Sequence, residues 1–278
     1  MTEEEGVLRF SRTERLIGAD GLTVLRRARI AVIGVGGVGS FVVEALARAG
    51  VGWLVLVDHD RIELSNTNRQ LPALAGNYGR PKVEVMAERV TAINPESIVV
   101  PWQTFIRAEN LASVLQGDLS YIVDAVDTVA AKVAIIRYAL EREIPVISAM
   151  GAGNKLDPLA LKVADISETH TCPLAKAVRK ALRDSGITGG VKVAFSTEPP
   201  LRTAQADSAG SSGPGCAPCP HKPASGECAC PRRRSIPGTI SYLPPMMGLL
   251  IAAEVIRDLL GLHRKTPGGS PAKGPAAK

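Results

Sequence analysis

Three glycines at fixed spacing carry the first chemical signal. Gly34, Gly36 and Gly39 form G-x-G-x-x-G between the apolar run 28–33 (ARIAVI) and the helix-patterned run 41–49 (FVVEALARA). With no side chains there, backbone N–H groups can approach a phosphate at a helix N-terminus. Asp58 closes the next apolar run, 53–57 (WLVLV), where a carboxylate can accept hydrogen bonds from both ribose hydroxyls. So far this reads as a nucleotide site, and it leaves open a hydride carrier or ATP. The residues that follow favour ATP. Asp60 comes two positions after Asp58, residues 65–70 (SNTNRQ) gather amides around Arg69, and 79–82 (GRPK) put Lys82 at a helix start. Asp127 lies just beyond the run 121–126 (YIVDAV). One acid for ribose, cations for phosphates and a second acid for Mg²⁺ suit phosphoryl or nucleotidyl transfer, where positioning and charge stabilisation supply most of the catalysis. Singly, Lys82 could be a solvated helix-end lysine and Arg69 a surface-loop arginine. Their joint arrangement is what points to chemistry.

These residues need a scaffold that brings them to one edge, and the chain supplies it. Between residues 28 and 149, short β-rich runs alternate with helical patterns. The runs 28–33, 53–57, 98–105, 121–126 and 144–149 read as strands, and 41–49, 82–93 and 130–141 as helices. That alternation predicts an α/β fold: a Rossmann-like, doubly wound, mostly parallel sheet whose strand ends form one crevice. An amphipathic helix over 8–25 precedes it. A C-terminal extension follows, with a basic helix over 173–185, strands over 191–196 and 239–243, and an apolar helix over 245–260. The expected organisation is a single ATP-binding adenylating domain over 8–262 with its core at 28–153. It carries a Cys/Pro/Gly-rich insert at 199–237, and a disordered tail follows at 263–278.

Composition narrows the partners. Lys and Arg number 33 against 27 Asp and Glu, a net +6 that permits an anionic partner. Aromatic residues, at 4%, are too few for a binder built on base-stacking platforms. Two basic groups could meet RNA phosphates: Lys176, Arg179, Lys180 and Arg183 on the helix over 173–185, and Arg232, Arg233 and Arg234. Four thiols, Cys216, Cys219, Cys228 and Cys230, could hold a structural Zn²⁺, although the second pair is closer than the usual ligand spacing. The apolar helix over 245–260 contains Glu254, Arg257 and Asp258, which favours a packing helix over a membrane span. The acidic start, residues 1–6, lacks an export pattern, so a cytoplasmic protein without membrane association is expected.

Six motifs in order carry a family resemblance: 9–12 (RFSR), 34–40 (GVGGVGS), 58–60 (DHD), 66–70 (NTNRQ), 79–82 (GRPK) and 124–127 (DAVD). Together they resemble the ubiquitin-activating-enzyme-like (ThiF/MoeB/HesA) superfamily, over about residues 8–198 and the helix near 245–260. Within it, NTNRQ, Gly151-Ala152-Gly153, Asp157-Pro158, Pro173-Leu174-Ala175 and 195–198 (FSTE) resemble the tRNA threonylcarbamoyladenosine dehydratases. The resemblance implies ATP and Mg²⁺ as cofactors and adenylation of a carboxylate on a nucleoside of the tRNA anticodon region, followed by ring closure with net loss of water. It also implies a homodimer in which Arg12 reaches the partner's phosphates. Gly34, Gly36, Gly37, Gly39, Asp58, Asp60, Asn66, Arg69, Lys82, Asp127 and Thr128 would hold the nucleotide. Arg12, Asn68, Arg69, Lys82 and Asp127 would act in the chemistry, with Asp127 on Mg²⁺. The alternative is an adenylyltransferase for the C-terminal glycine of a sulfur-carrier protein, served by a sulfur-transfer partner. Such enzymes carry two separated Cys-x-x-Cys pairs, and here Cys172 is followed by Ala175 where a second Cys would fall.

Overall fold

A computed structural model describes residues 8–201 and 237–262. The strands are β1 (Arg29–Ile33), β2 (Trp53–Val57), β3 (Ile98–Trp102), β4 (Tyr121–Asp124), β5 (Val146–Ala149), β6 (Leu161–Asp165) and β7 (Lys192–Ser196). They form one sheet in the order β3-β2-β1-β4-β5-β7-β6. All neighbours pair in parallel except β6, which runs antiparallel to β7 at the edge. The order reverses direction between β1 and β4, the switch point where such sheets open a crevice at the carboxyl ends of their strands.

Side-chain alternation assigns the helices to two layers. Ile30, Val32, Leu54, Leu56 and Val123 point to one face, where α2 (Gly39–Ala49), α3 (Lys82–Ile93) and α7 (Leu243–Leu259) cover them. Ala31, Ile33, Val55, Val57 and Ile122 point to the other, under α4 (Leu111–Val114) and α5 (Val129–Glu141). Further along that second face, Val193 and Phe195 pack under α6 (Pro173–Asp184). Helix α1 (Ser11–Arg27) precedes β1 and is broken at Gly18, whose φ is 77°. Near α1's start Phe10 is buried. It lies beside Gly50, at the C-terminal end of α2 and thus at the amino edge of the sheet.

The expected strand over 98–105 stops at Trp102 and contains Pro101, which lacks an N–H donor and is tolerated because β3 is an edge strand. The strand expected over 239–243 is absent. The chain there is irregular, and α7 starts at Leu243. The reason is local: Pro244 and Pro245 cannot donate to a ladder but fit the first turn of a helix, where N–H groups have no intrahelical partner. No helix among the described residues is long and apolar enough to cross a membrane. Cys216, Cys219, Cys228, Cys230 and Arg232–Arg234 lie outside the described residues.

Candidate active site

The glycine turn is shaped by close backbone approach. Gly34 has φ 90°, and a Cβ there would stand 2.6 Å from the Ala125 carbonyl oxygen. A Cβ on Gly39 would run into the Gly34 carbonyl. Only glycine fits either position, so the turn packs tightly between β1 and the loop after β4. Above Gly36 the space is open: the nearest atom to a Cβ would be Gln70 Nε2, at 3.8 Å. The Asp58 carboxylate ties this turn to the end of β2. Oδ2 accepts from Val35 N–H (2.7 Å) and Oδ1 from Asp60 N–H (2.9 Å). Its side chain is 8% exposed, and a carboxylate has acceptor capacity beyond two bonds for a ribose hydroxyl.

The loop after β2 folds back on the start of α3. Arg61 bridges Pro81, Ile62 N–H donates to Arg80 O, and Lys82 N–H donates to Asp60 O. This places the almost fully buried Lys82 ammonium 2.7 Å from Asp60 Oδ2. Asn66 is committed to the loop itself: its Oδ1 accepts from Glu63 N–H (3.1 Å), closing a one-turn helix over Leu64–Asn66. Asn68 accepts from Arg69 Nη1 (2.8 Å) and donates to Thr239 O (3.0 Å), joining the loop to the segment before α7. The Arg69 stem crosses the glycine turn, its Cγ 3.3 Å from where a Gly37 Cβ would stand, and Pro244 of α7 flanks the same spot at 3.2 Å. Arg69 therefore keeps Nε and Nη2 free among the described residues, beside the turn. Gln70 is a site residue that the spacing argument left unassigned. It is buried, and its Oε1 has no hydrogen-bond partner among the described residues. An orphaned acceptor at the edge of an open turn fits a ligand that brings a donor.

The two acids of the 124–127 motif part company. Asp124 is fully buried at the end of β4, where it accepts from Lys132 Nζ (3.0 Å), Ser148 Oγ (2.5 Å) and Val126 N–H (3.1 Å). Lys132, fully buried on α5, also donates to Ala149 O (2.6 Å), so one ammonium fastens the carboxyl ends of β4 and β5. Sequence reasoning passed over Lys132. The available signal was a lone Lys in the apolar helix run 129–141 (VAAKVAIIRYALE). Asp127, by contrast, is exposed in the turn before α5 and makes no hydrogen bond or ion pair among the described residues. Thr128 is the N-cap of α5, and its hydroxyl makes no cap bond. An uncommitted carboxylate here fits a phosphate-bound divalent cation. Asp58, His59 and Asp60 also bring donor atoms within 4.8 Å of one another, but Asp58 and Asp60 are already engaged.

Arg12 is exposed on α1. The start of that helix is fixed at the amino edge of the sheet, where Arg9 donates to Ile93 O at the end of α3. The crevice is at the opposite edge. Thus the fold gathers Gly34–Gly39, Asp58, Asp60, Asn68, Arg69, Lys82 and the Asp127 turn, and holds Arg12 apart from them within one chain.

A phosphate-ready glycine turn, a ribose-facing acid and two cations at the switch point of a doubly wound sheet define a nucleotide-binding α/β protein. The family model of the ThiF family matches residues 10–272. The tRNA threonylcarbamoyladenosine dehydratase of Bacillus subtilis is 42% identical over 251 residues, covering 90% of this chain and 94% of that protein. Two crystal structures of the Escherichia coli tRNA N6-threonylcarbamoyladenosine dehydratase, one with ATP and one with AMP, each match with a TM-score of 0.77 at 32% identity, over 92% of this chain and 95% of theirs. The chain belongs to the ThiF family.

Proposed function

We propose that this chain is an ATP-dependent dehydratase of tRNA, which adenylates the carboxylate of threonylcarbamoyladenosine and closes it to the cyclic form. The observation that carries the reading is the set of phosphate-facing groups at the glycine turn: Arg69 with free donors, the buried Lys82 held by Asp60, and Asp58 on the ribose side. The Bacillus subtilis and Escherichia coli relatives described above bear the dehydratase name, and the latter was solved with ATP and with AMP.

The substrate carboxylate attacks the α-phosphate of ATP, and pyrophosphate leaves. Backbone N–H groups of residues 36–39 and the cations of Arg69 and Lys82 stabilise the charge that builds on the phosphate oxygens. Asp60 holds the Lys82 ammonium in place through their 2.7 Å ion pair. Asp127 and Thr128 would hold Mg²⁺, which supplies charge neutralisation on the phosphates. A nitrogen of the same modification then attacks the acyl-adenylate, the ring closes and AMP leaves. Nucleophile and electrophile sit on one side chain of one nucleoside, so proximity supplies the advantage and no catalytic cysteine is required. Cys172, the one described cysteine, is buried against α6. The missing Cys-x-x-Cys partner at Ala175 disfavours the sulfur-carrier alternative. One adenylating domain spans residues 8–262. In a homodimer Arg12 would complete the partner's site, a role supported by its place away from its own crevice.

Purified protein with MgATP and tRNA carrying threonylcarbamoyladenosine should convert that nucleoside to a product lighter by one water, read by mass after mild digestion. ATP omission or Arg69→Ala should abolish the change. ATP binding with no mass change on a verified substrate would overturn the reading and turn attention to pyrophosphate release with carrier proteins ending in two glycines.

A further inference from the structure

The basic face of α6 has no role in the nucleotide site. Lys176, Lys180 and Arg183 recur at i, i+4 and i+7, so they share one stripe, and all three are exposed. Their rises along the axis are about 6 and 4.5 Å. Of the other surface cations, Arg48, Arg80, Arg89, Lys192 and Arg257 each face a carboxylate, whereas Arg12, Arg15, Arg26 and Arg27 of α1 form no ion pair among the described residues. Among the described residues none of Lys176, Lys180 and Arg183 forms an ion pair. The acids of the loop beneath are engaged at home: Asp165 accepts from Ser167, Gly190 and Val191 N–H, and Glu168 from Asp165 N–H. The helix's own acid, Asp184, is its last residue.

Helix electrostatics account for Arg183, in the last turn of α6, but not for Lys176. Cations belong near a C-terminus and acids near an N-terminus, but the first turn of α6 has no acid and Lys176 falls within it. The positive end of the helix dipole and the charge of Lys176 therefore add. They also lie close to the crevice. Cys172 Sγ and Leu174 Cβ, at the start of α6, stand 3.5 and 3.7 Å from where a Cβ on Gly151 would be, just past the carboxyl end of β5. On the same face of the sheet, the exposed Lys162 of edge strand β6 pairs with Phe195, against whose ring His170 packs edge-on at 5.7 Å.

We infer that Lys176, Lys180 and Arg183, with Lys162 beside them, bind the phosphodiester backbone of the RNA flanking the nucleotide that enters the crevice. This rests on the proposed tRNA substrate and adds where that RNA lies: across α6, on the side of the sheet away from α7. Phosphates neutralised by these side chains release counterions, so each contact adds a fixed increment to the salt dependence of binding.

The test is fluorescence anisotropy of labelled, threonylcarbamoylated tRNA against the full chain, titrated from low to high salt. The K176A/K180A/R183A variant should bind at least about tenfold more weakly at 0.1 M salt. Its log K against log salt slope should be shallower by about 2–3, while K176R/K180R/R183R keeps both. A rise in melting temperature with ATP, equal to that of the wild type, verifies that the variant is folded. Unchanged affinity and slope in the alanine variant, with the wild type still cyclising the nucleoside, would overturn the α6 surface alone. Unchanged tRNA affinity with lost binding of a polyglutamate probe would reassign the stripe to an acidic protein and overturn it too. A wild-type chain that neither binds nor alters the tRNA would overturn the functional reading itself.

Discussion

Asp124 and Asp127 are three residues apart and live in opposite regimes. Asp124 is sealed under the crevice floor with Lys132 and Ser148, and all three groups satisfy one another. Asp127, like Arg69 above the glycine turn, faces outward with bonding capacity unused by the described chain. The floor is built from charges that are complete without a ligand, and the rim from charges that are not. Buried ion pairs are costly to break because the survivor cannot be rehydrated, whereas partly exposed ones contribute little to stability and can be given to a substrate.

The largest expected effect is on the floor. Lys132→Met leaves Asp124 charged and unpaired, and should lower unfolding free energy by about 3–5 kcal/mol in urea titrations. A loss below about 1 kcal/mol would mean that the floor is no more fixed than the rim. Arg69→Ala should do the reverse: turnover down about 10²–10³-fold, with unfolding free energy shifted by less than about 1 kcal/mol. If stability fell and turnover held, the contrast between the two regions would be broken. Adding Asp124→Asn to Lys132→Met should restore about 1–3 kcal/mol, because a neutral amide removes the orphaned charge and keeps bonds to Ser148 and Val126. A double variant no more stable than the single one would locate the loss in packing instead.

The smallest effect belongs to an intermediate case, Asp165. Burial pushes its carboxyl up, but the Ser167 hydroxyl and the N–H groups of Ser167, Gly190 and Val191 outweigh it and hold the group below its ordinary 3.8. Its contribution is therefore complete above that ordinary value and is lost as pH falls through the lower, folded-state value. Asp165→Asn should cost about 1 kcal/mol at pH 7, and the gap from the wild type should narrow below about pH 4 in paired melting curves. A gap that stays constant down to pH 3 would remove the carboxylate charge from the account.

Where function is written locally, the sequence was readable. The glycine turn, Asp58 at a strand end and the helix Lys82–Ile93 all follow from spacing within a few residues, and the structure reproduces that helix to the residue. Asp60 as the partner of Lys82 was not legible, because the two stand 22 positions apart and the loop between them must close before they meet. The same holds for the floor. Lys132 meets Asp124 eight residues away and Ser148 sixteen away only once β4 and β5 are adjacent. Strand β6 went unread for a different reason. As an antiparallel edge strand with no fully buried position, Leu161–Asp165 shows neither a buried run nor clean alternation. The strand expected over 239–243 failed because the helix expected from Pro245 already begins at Leu243, with Pro244 as well as Pro245 in its first turn.

The seat of α7 bears on the order in which the chain is made. All seven strands, and every residue placed at the phosphates, are complete once Ser196 has been synthesised. The brace over the glycine turn comes later: Thr239 accepts from Asn68, Pro244 flanks Arg69, and Gly248 lies so close to the Val38 carbonyl that a Cβ there would clash. At ordinary ribosomal speeds the stretch from Ser196 to Leu259 takes about 3–13 s to emerge. During that interval the nascent sheet bares the groove between its own helices that α7 will fill. A chain stopped before Thr239 keeps the residues placed at the nucleotide but lacks the contacts of Thr239, Pro244 and Gly248 over the glycine turn.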